Sequence, residues 1–237
     1  MLINTDKPIK ILIQRADRFG DTLLSFPVVD SIIKNYPKVT IDYLVSNEGK
    51  AAIELQPNIK KYWVFDFDYP FRSFFKLKTK LKQENYDVFI SLWNQDIFAF
   101  LGFYLNIPIR IGYKKKFIHN LFYSHPVKQE WNDFSKHEIE FNLMFLEKLG
   151  FKLKTWFSEI RIKESIKLKI KEELNKAFGV SSKVILIFTE TGGSNIAFPK
   201  KIIDEFIHKI GKKKEYSIVL AGKSKDNKYK NEDYGNH

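Results

Sequence analysis

The chain has 237 residues, 44% of them apolar, enough to bury a core and to exclude wholesale disorder. It contains no cysteine, which rules out a disulfide framework, a thiolate metal site and a cysteine nucleophile. The formal charge of +12 bears on partners rather than fold and fits an anionic substrate, an anionic membrane surface or nucleic acid.

Met1 to Lys10 is charged and lacks the apolar stretch of a secretory signal. Ile9-Lys10-Ile11-Leu12-Ile13 then reads as a strand, followed by the loop Arg15 to Gly20. From Asp21 onward Leu23, Leu24, Val28, Val29, Ile32 and Ile33 recur at helical spacing until Pro37. Val39 to Val45 is a second strand, and strand–helix–strand in a unit of this length implies a right-handed parallel crossover.

The alternation continues with a short helix Ala51 to Leu55, a strand Tyr62 to Phe65 and a helix Phe71 to Gln83. Asp87 to Leu92 is a nearly uninterrupted apolar strand, as in a sheet covered on both faces. Ile97 to Leu105 follows as a buried helix; closed by Asn106 and Pro108, it is far shorter than the about 18 residues of a membrane span. The chain is therefore expected to be a soluble cytoplasmic protein. Ile109 to Tyr113 is another strand. Ser135 is placed to cap a helix Lys136 to Leu149, with Glu138 as reciprocal partner and Gly150 as stop.

Beyond Gly150 the pattern changes. Phe151 to Ile162 suits an extended linker, and Glu164 to Phe178 is a charged amphipathic helix ended by Gly179. A strand Val184 to Phe188, a Gly-rich turn Thr189 to Asn195, a helix Pro199 to Lys212 and a strand Ser217 to Ala221 complete the pattern. This predicts an N-terminal domain over 1–163 and a second, partial domain over 164–237. Two strands with two helices bury little, so the second unit reads as an α/β domain interrupted midway.

In an open α/β sheet, ligands bind beyond the carboxyl ends of the strands. The first such place is Arg15-Ala16-Asp17-Arg18-Phe19-Gly20-Asp21-Thr22. Asp21 or Thr22 at a helix start is ordinary capping chemistry. The loop also carries two arginines, and an exposed carboxylate among cations is a candidate general base. The spacing of a dinucleotide-binding glycine motif is absent, which argues against NAD chemistry. His119 and His125 stand too far apart for a zinc-type pair, so no metal is expected. Trp93-Asn94-Gln95 follows a strand end and is positioned to line a cleft. Basic runs such as Lys76 to Lys80 and Lys167 to Lys171 read as solvated helix faces, and no nucleic-acid-binding motif accompanies them.

Several segments together resemble the heptosyltransferases, glycosyltransferase family nine. They are Ile11 to Arg15, Gly20-Asp21-Thr22-Leu23-Leu24 with Pro27-Val28, Ile41 to Val45 and Tyr86 to Leu92. Arg110-Ile111-Gly112-Tyr113, and His137-Glu138 with Leu146 to Gly150, complete the series. No single motif is specific, but their order and spacing are.

The resemblance implies a GT-B-like fold. Its N-terminal Rossmann-like parallel-sheet domain would bind acceptor, and a second Rossmann-like domain, here incomplete, would bind the nucleotide-sugar donor. It implies inverting, metal-independent transfer without a cofactor, Asp21 acting as base. Acceptor contacts fall on Arg15, Arg18, Gly20, Thr22 and His137, and donor phosphate contacts on Thr189, Gly192, Gly193, Ser194 and Asn195. The implied donor is an ADP-activated heptose. The implied acceptor is an anionic lipid-linked glycan of the lipopolysaccharide core type, met at the cytoplasmic membrane face. The sequence departs from the family where a lysine and a tryptophan are usual: it has Ile196 and Phe198 there. The family's second donor-binding turn has no counterpart before His237, so the chain reads as a fragment, a shortened product or a diverged relative. Two other readings stand beside transfer: an inactive, truncated relative, and a basic nucleic-acid-binding α/β protein.

Overall fold

The computed structural model of the chain describes residues 7–128, 135–179, 183–189, 198–213 and 215–221, and the expected alternation is realised in them. The chain divides into two units, Met1–Arg161 and Ile162–His237.

The first unit runs β1 (Ile9–Gln14), α1 (Phe19–Leu24), α2 (Phe26–Asn35), β2 (Val39–Ser46), α3 (Lys50–Ile53), β3 (Lys61–Phe65) and α4 (Pro70–Gln83). It continues β4 (Val88–Ser91), α5 (Asp96–Tyr104), β5 (Ile109–Tyr113), α6 (Phe117–Phe122), β6 (His125–Val127) and α7 (Glu138–Met144). A 3₁₀ turn, Phe145–Leu149, closes it at Gly150, whose φ of 77° is the left-handed stop that glycine allows. The six strands pair in parallel in the order β3-β2-β1-β4-β5-β6. The chain steps outward from β1 to β3, then returns to place β4 on the other side of β1. The junction of β1 and β4 is thus the switch point, where a crevice opens at the carboxyl ends.

Strand alternation divides the core between the two faces of this sheet. Ile11, Ile13, Ile41, Tyr43, Val45, Val88 and Ile90 face α2 and α7. Leu12, Leu44 and Phe89 face α4 and α5. Gly102 on α5 lets that helix lie against Phe89, and a Cβ there would strike the ring.

Three local features differ from expectation. The first helix begins at Phe19 and breaks at Ser25, because Pro27 lacks the N–H needed to continue it. Helix α7 begins not at Lys136 but at Glu138, and its cap is His137 rather than Ser135. His137 Nδ1 accepts from the Ile139 N–H (3.2 Å), and Glu140, not Glu138, accepts from the His137 N–H (2.8 Å). The displaced Glu138 points instead toward Arg15. Finally, α6 and β6 occupy a stretch with no periodic signal, where Pro126 is tolerated because β6 is an edge strand.

The second unit holds α8 (Glu164–Phe178), β7 (Lys183–Phe188), α9 (Lys200–Gly211) and β8 (Tyr216–Ala221). Its two strands are parallel. Ile203 and Ile207 of α9 are buried, whereas Leu186 and Phe188 of β7 remain exposed. Among the described residues no helix is long and apolar enough to cross a membrane.

Candidate active site

The loop after β1 is held open by the sheet itself. The Arg15 N–H continues the ladder to Leu44 O (3.1 Å), and the Ser46 hydroxyl donates to the Asp17 carbonyl. The Arg15 side chain then turns inward and is only 4% exposed. Nη1 donates to Leu92 O at the end of β4 and to Asn142 Oδ1 on α7, both at 3.1 Å. The Asn142 amide in turn donates to Leu24 O at the end of α1 (3.2 Å). One guanidinium thus ties together β1, β4, α1 and α7.

Three carboxylates gather on that cation. Asp17 Oδ2 lies 2.8 Å from Nε, Glu138 Oε1 lies 3.0 Å from Nη1, and Asp21 Oδ1 lies 3.5 Å from Nη2. Asp17 and Glu138 are largely buried and share one cation, so burial biases these two carboxyls toward holding protons. Burial, opposed by Arg15 and reinforced by Asp21, pushes the Asp17 carboxyl up to about 7. Burial also raises Glu138, again against the pull of Arg15. Asp17 Oδ1 is buried and accepts no hydrogen bond among the described residues. Asp21, the least buried of the three at 35% exposed, sits in the first turn of α1.

Beside this cluster, at the β1/β4 switch point, lies a cleft of about 380 Å³. Asp17, Glu138 and Arg15 form one wall; Trp93, Asn94, Tyr113 and Lys115 contribute to the rest. Such a mixture offers aromatic planes for the apolar faces of a sugar ring and polar groups for its hydroxyls. A second concavity of about 400 Å³ lies in the second unit, lined by Ile162, Ile170, Leu174 and Val184 with Lys167 and Lys171. Among the described residues its lining holds no carboxylate or histidine.

The other expected site residues fall as follows. Arg18 is exposed at the N-cap of α1. Gly20 lies in the first turn of α1 rather than in a tight turn, and a Cβ there would meet nothing within 4 Å, so open space stands over the helix start. Thr22 is buried, its hydroxyl donating to Arg18 O (3.0 Å) against Gly49, which makes it a packing residue. His137 caps α7 with its ring 6.1 Å from that of Trp156. Arg15, expected among the acceptor contacts, has its guanidinium engaged by the protein. Thr189 donates from its backbone to Ala221 O (2.9 Å), whereas Gly192, Gly193, Ser194 and Asn195 lie outside the described residues. Asp17, Glu138 and Asn142 were not singled out for the site by sequence reasoning. A charged residue at α7 positions expected to pack or cap was the available signal, and it is ambiguous without the fold. His119 is buried and bonded to Asp96 (3.0 Å), and among the described residues no metal-ligating cluster forms.

A doubly wound parallel sheet with a charged cleft at its switch point, followed by a second α/β unit, is a GT-B-like arrangement of elements. Residues 74–234 match glycosyltransferase family 9 (heptosyltransferase), and the chain belongs to that family. Among curated proteins it is 30% identical over 98 residues to lipopolysaccharide heptosyltransferase 3 of Escherichia coli, a stretch that is 39% of this chain and 29% of that protein. Its fold resembles the family 9 glycosyltransferase of Veillonella parvula, with a TM-score of 0.76 at 18% identity over 90% of this chain and 62% of that one. It also resembles E. coli heptosyltransferase WaaC, solved with ADP, with a TM-score of 0.66 at 16% identity over 90% of this chain and 66% of that one. The chain thus spans less than two thirds of the length of these relatives.

Proposed function

We propose that this protein transfers a sugar, a heptose carried on ADP, to a hydroxyl of an anionic lipid-linked glycan of the lipopolysaccharide-core type, with inversion. The observation that carries the reading is Asp21: a partly exposed carboxylate in the first turn of α1, 3.5 Å from Arg15, which lines the charged cleft. Family membership and the ADP-bound and ADP-heptose-analogue-bound structures of WaaC support the donor.

In the transfer step Asp21 accepts the proton of the acceptor hydroxyl as its oxygen bonds to the anomeric carbon. The bond from that carbon to the diphosphate breaks on the opposite face, and the electron pair leaves with the nucleoside diphosphate. Because the leaving group is a stabilised anion, one carboxylate suffices and a metal ion is not required. Arg15 acts as a positioning residue: it sets the rotamer of Asp21 and fixes α7 against the loop. Action at the cytoplasmic membrane face follows from the acceptor.

Calorimetric titration with ADP-heptose and a transfer assay on the purified chain, with Asp21→Asn beside it, test the reading. Transfer that vanishes in Asp21→Asn while donor affinity is kept is the expected outcome. Unchanged turnover refutes the base assignment. A folded chain that binds neither ADP nor ADP-heptose favours the alternative, a non-enzymatic relative.

A further inference from the structure

Helices α4, α5 and α6 cover one face of the six-stranded sheet, and their outer side is unusually apolar. Phe71 is 76% exposed, Phe75 61%, Phe117 79% and Leu121 59%, with Phe100 and Phe103 also exposed. Phe75, Phe100 and Phe103 belong to one run of ring contacts that spans the three helices, while Phe71 stands one turn before Phe75 on α4 and Phe117 one turn before Leu121 on α6. Ring contacts run from Phe75 to Phe74 (5.7 Å), to Phe100 (5.5 Å), to Phe122 (5.6 Å) and to Phe103 (5.3 Å). A contiguous exposed apolar patch of this kind marks an interaction surface.

The charges on this face identify the partner. Helix α4 carries Arg72, Lys76, Lys78, Lys80 and Lys82 and no acidic residue. Helix α6 has none either, and the lone acid of α5, Asp96, is paired with Lys116 (2.6 Å) and His119 (3.0 Å). The Lys78 ammonium lies over the rings of Phe75 (4.5 Å) and Tyr104 (5.3 Å), so a cation sits directly on this aromatic surface. A second copy of so basic a face would be repelled. A protein partner would need a matching acidic rim. An anionic bilayer supplies both terms at once: headgroup phosphates for the lysines and an acyl boundary for the phenylalanines.

We propose that the α4–α5–α6 face docks the protein on an anionic phospholipid surface, with Phe71, Phe75, Phe117 and Leu121 entering the interface. The segment Lys114 to Lys116 leads directly into Phe117 and also supplies Lys115 to the cleft, so docking brings the rim of the cleft to the lipid. The inference is independent of the transfer reaction, since it concerns a surface outside the acid–base cluster.

Flotation of the full chain with vesicles of phosphatidylcholine alone, and of phosphatidylcholine with equimolar phosphatidylglycerol, tests it without any sugar ligand. The chain should float with the anionic vesicles only. Phe71→Ser with Phe117→Ser should lower the partition coefficient about tenfold, the loss of two interfacial aromatics. Lys76→Glu with Lys80→Glu should remove the preference for phosphatidylglycerol. These side chains are exposed, so circular dichroism and melting should not change. Equal flotation with both vesicle types overturns the proposal, as does a partition indifferent to the Phe pair. A concentration-dependent dimer abolished by the Phe pair would assign the face to a second copy instead. Binding to duplex DNA that matches vesicle binding and depends on the Lys pair alone would assign it to nucleic acid.

Discussion

Asp17→Asn gives the clearest test of the charge imbalance at the Arg15 cluster. The carboxyl moves from an ordinary 3.8 to about 7 on folding, with burial the largest cause. Its folded value lies above its unfolded value, so the folded protein retains a proton that the unfolded chain has already released. The stability this proton contributes is complete below about pH 4 and is lost as pH rises through about 7. Integrating the linkage between pH 5 and pH 8 gives a loss of about 3 kcal/mol for this group. The asparagine is nearly isosteric and does not ionise, so the variant should gain that much relative to the native chain over the same interval. Glu138 and Lys115 line the same cleft and Asp21 lies on the same guanidinium, but these groups are common to both proteins, so their contribution largely cancels in the difference. In a chain of this size 1 kcal/mol is worth roughly 2–4 °C, so the melting-point gap should widen by roughly 6–12 °C from pH 5 to pH 8. Calorimetric or dichroism melts at the two pH values measure it. Melting curves that shift in parallel, with no widening of the gap, would show that Asp17 is ionised throughout and that the imbalance is illusory.

Two further substitutions probe the same architecture. Arg15→Leu removes the cation from Asp17 and Glu138 and the donor from Leu92 O and Asn142, and breaking such a buried network should cost about 3–5 kcal/mol in urea unfolding at pH 7; a cost below about 1 kcal/mol would mean the network is solvated like a surface pair. Gly112→Ala on β5 places a methyl against the ring of Tyr123, and the overpacking should destabilise by about 1–3 kcal/mol, whereas an unchanged melting point would show that the ring yields freely.

Much of this molecule was legible in its residues because the physics concerned is local. β-Branched runs such as Ile9 to Ile13 and helix signals such as Glu164 to Phe178 before Gly179 depend on neighbours a few positions away, and the elements formed where that periodicity placed them. The order of elements likewise carried the parallel fold, since strand–helix–strand units permit few topologies. The loop from Arg15 to Asp21 was legible as a site because it follows the first strand of such a sheet.

What that loop does was decided by long-range contacts. The partners of Arg15 lie at Leu92, Glu138 and Asn142, far away in sequence, and no spacing rule joins them. The same distance hid the choice between Ser135 and His137 as cap: Glu138 looks like a capping residue until the fold presents it with a buried guanidinium, which frees Glu140 for the cap. The basic run on α4 reads as a solvated face by itself; only the packing of α4, α5 and α6 on one another, through Phe74, Phe100 and Phe122, brings their exposed aromatics to one side of the sheet. Sequence alone determined which segments become strands and helices, because backbone propensity and periodicity act over a few residues. Only tertiary structure decided which charges are buried together, because desolvation and ion pairing depend on what the fold brings within a few ångströms.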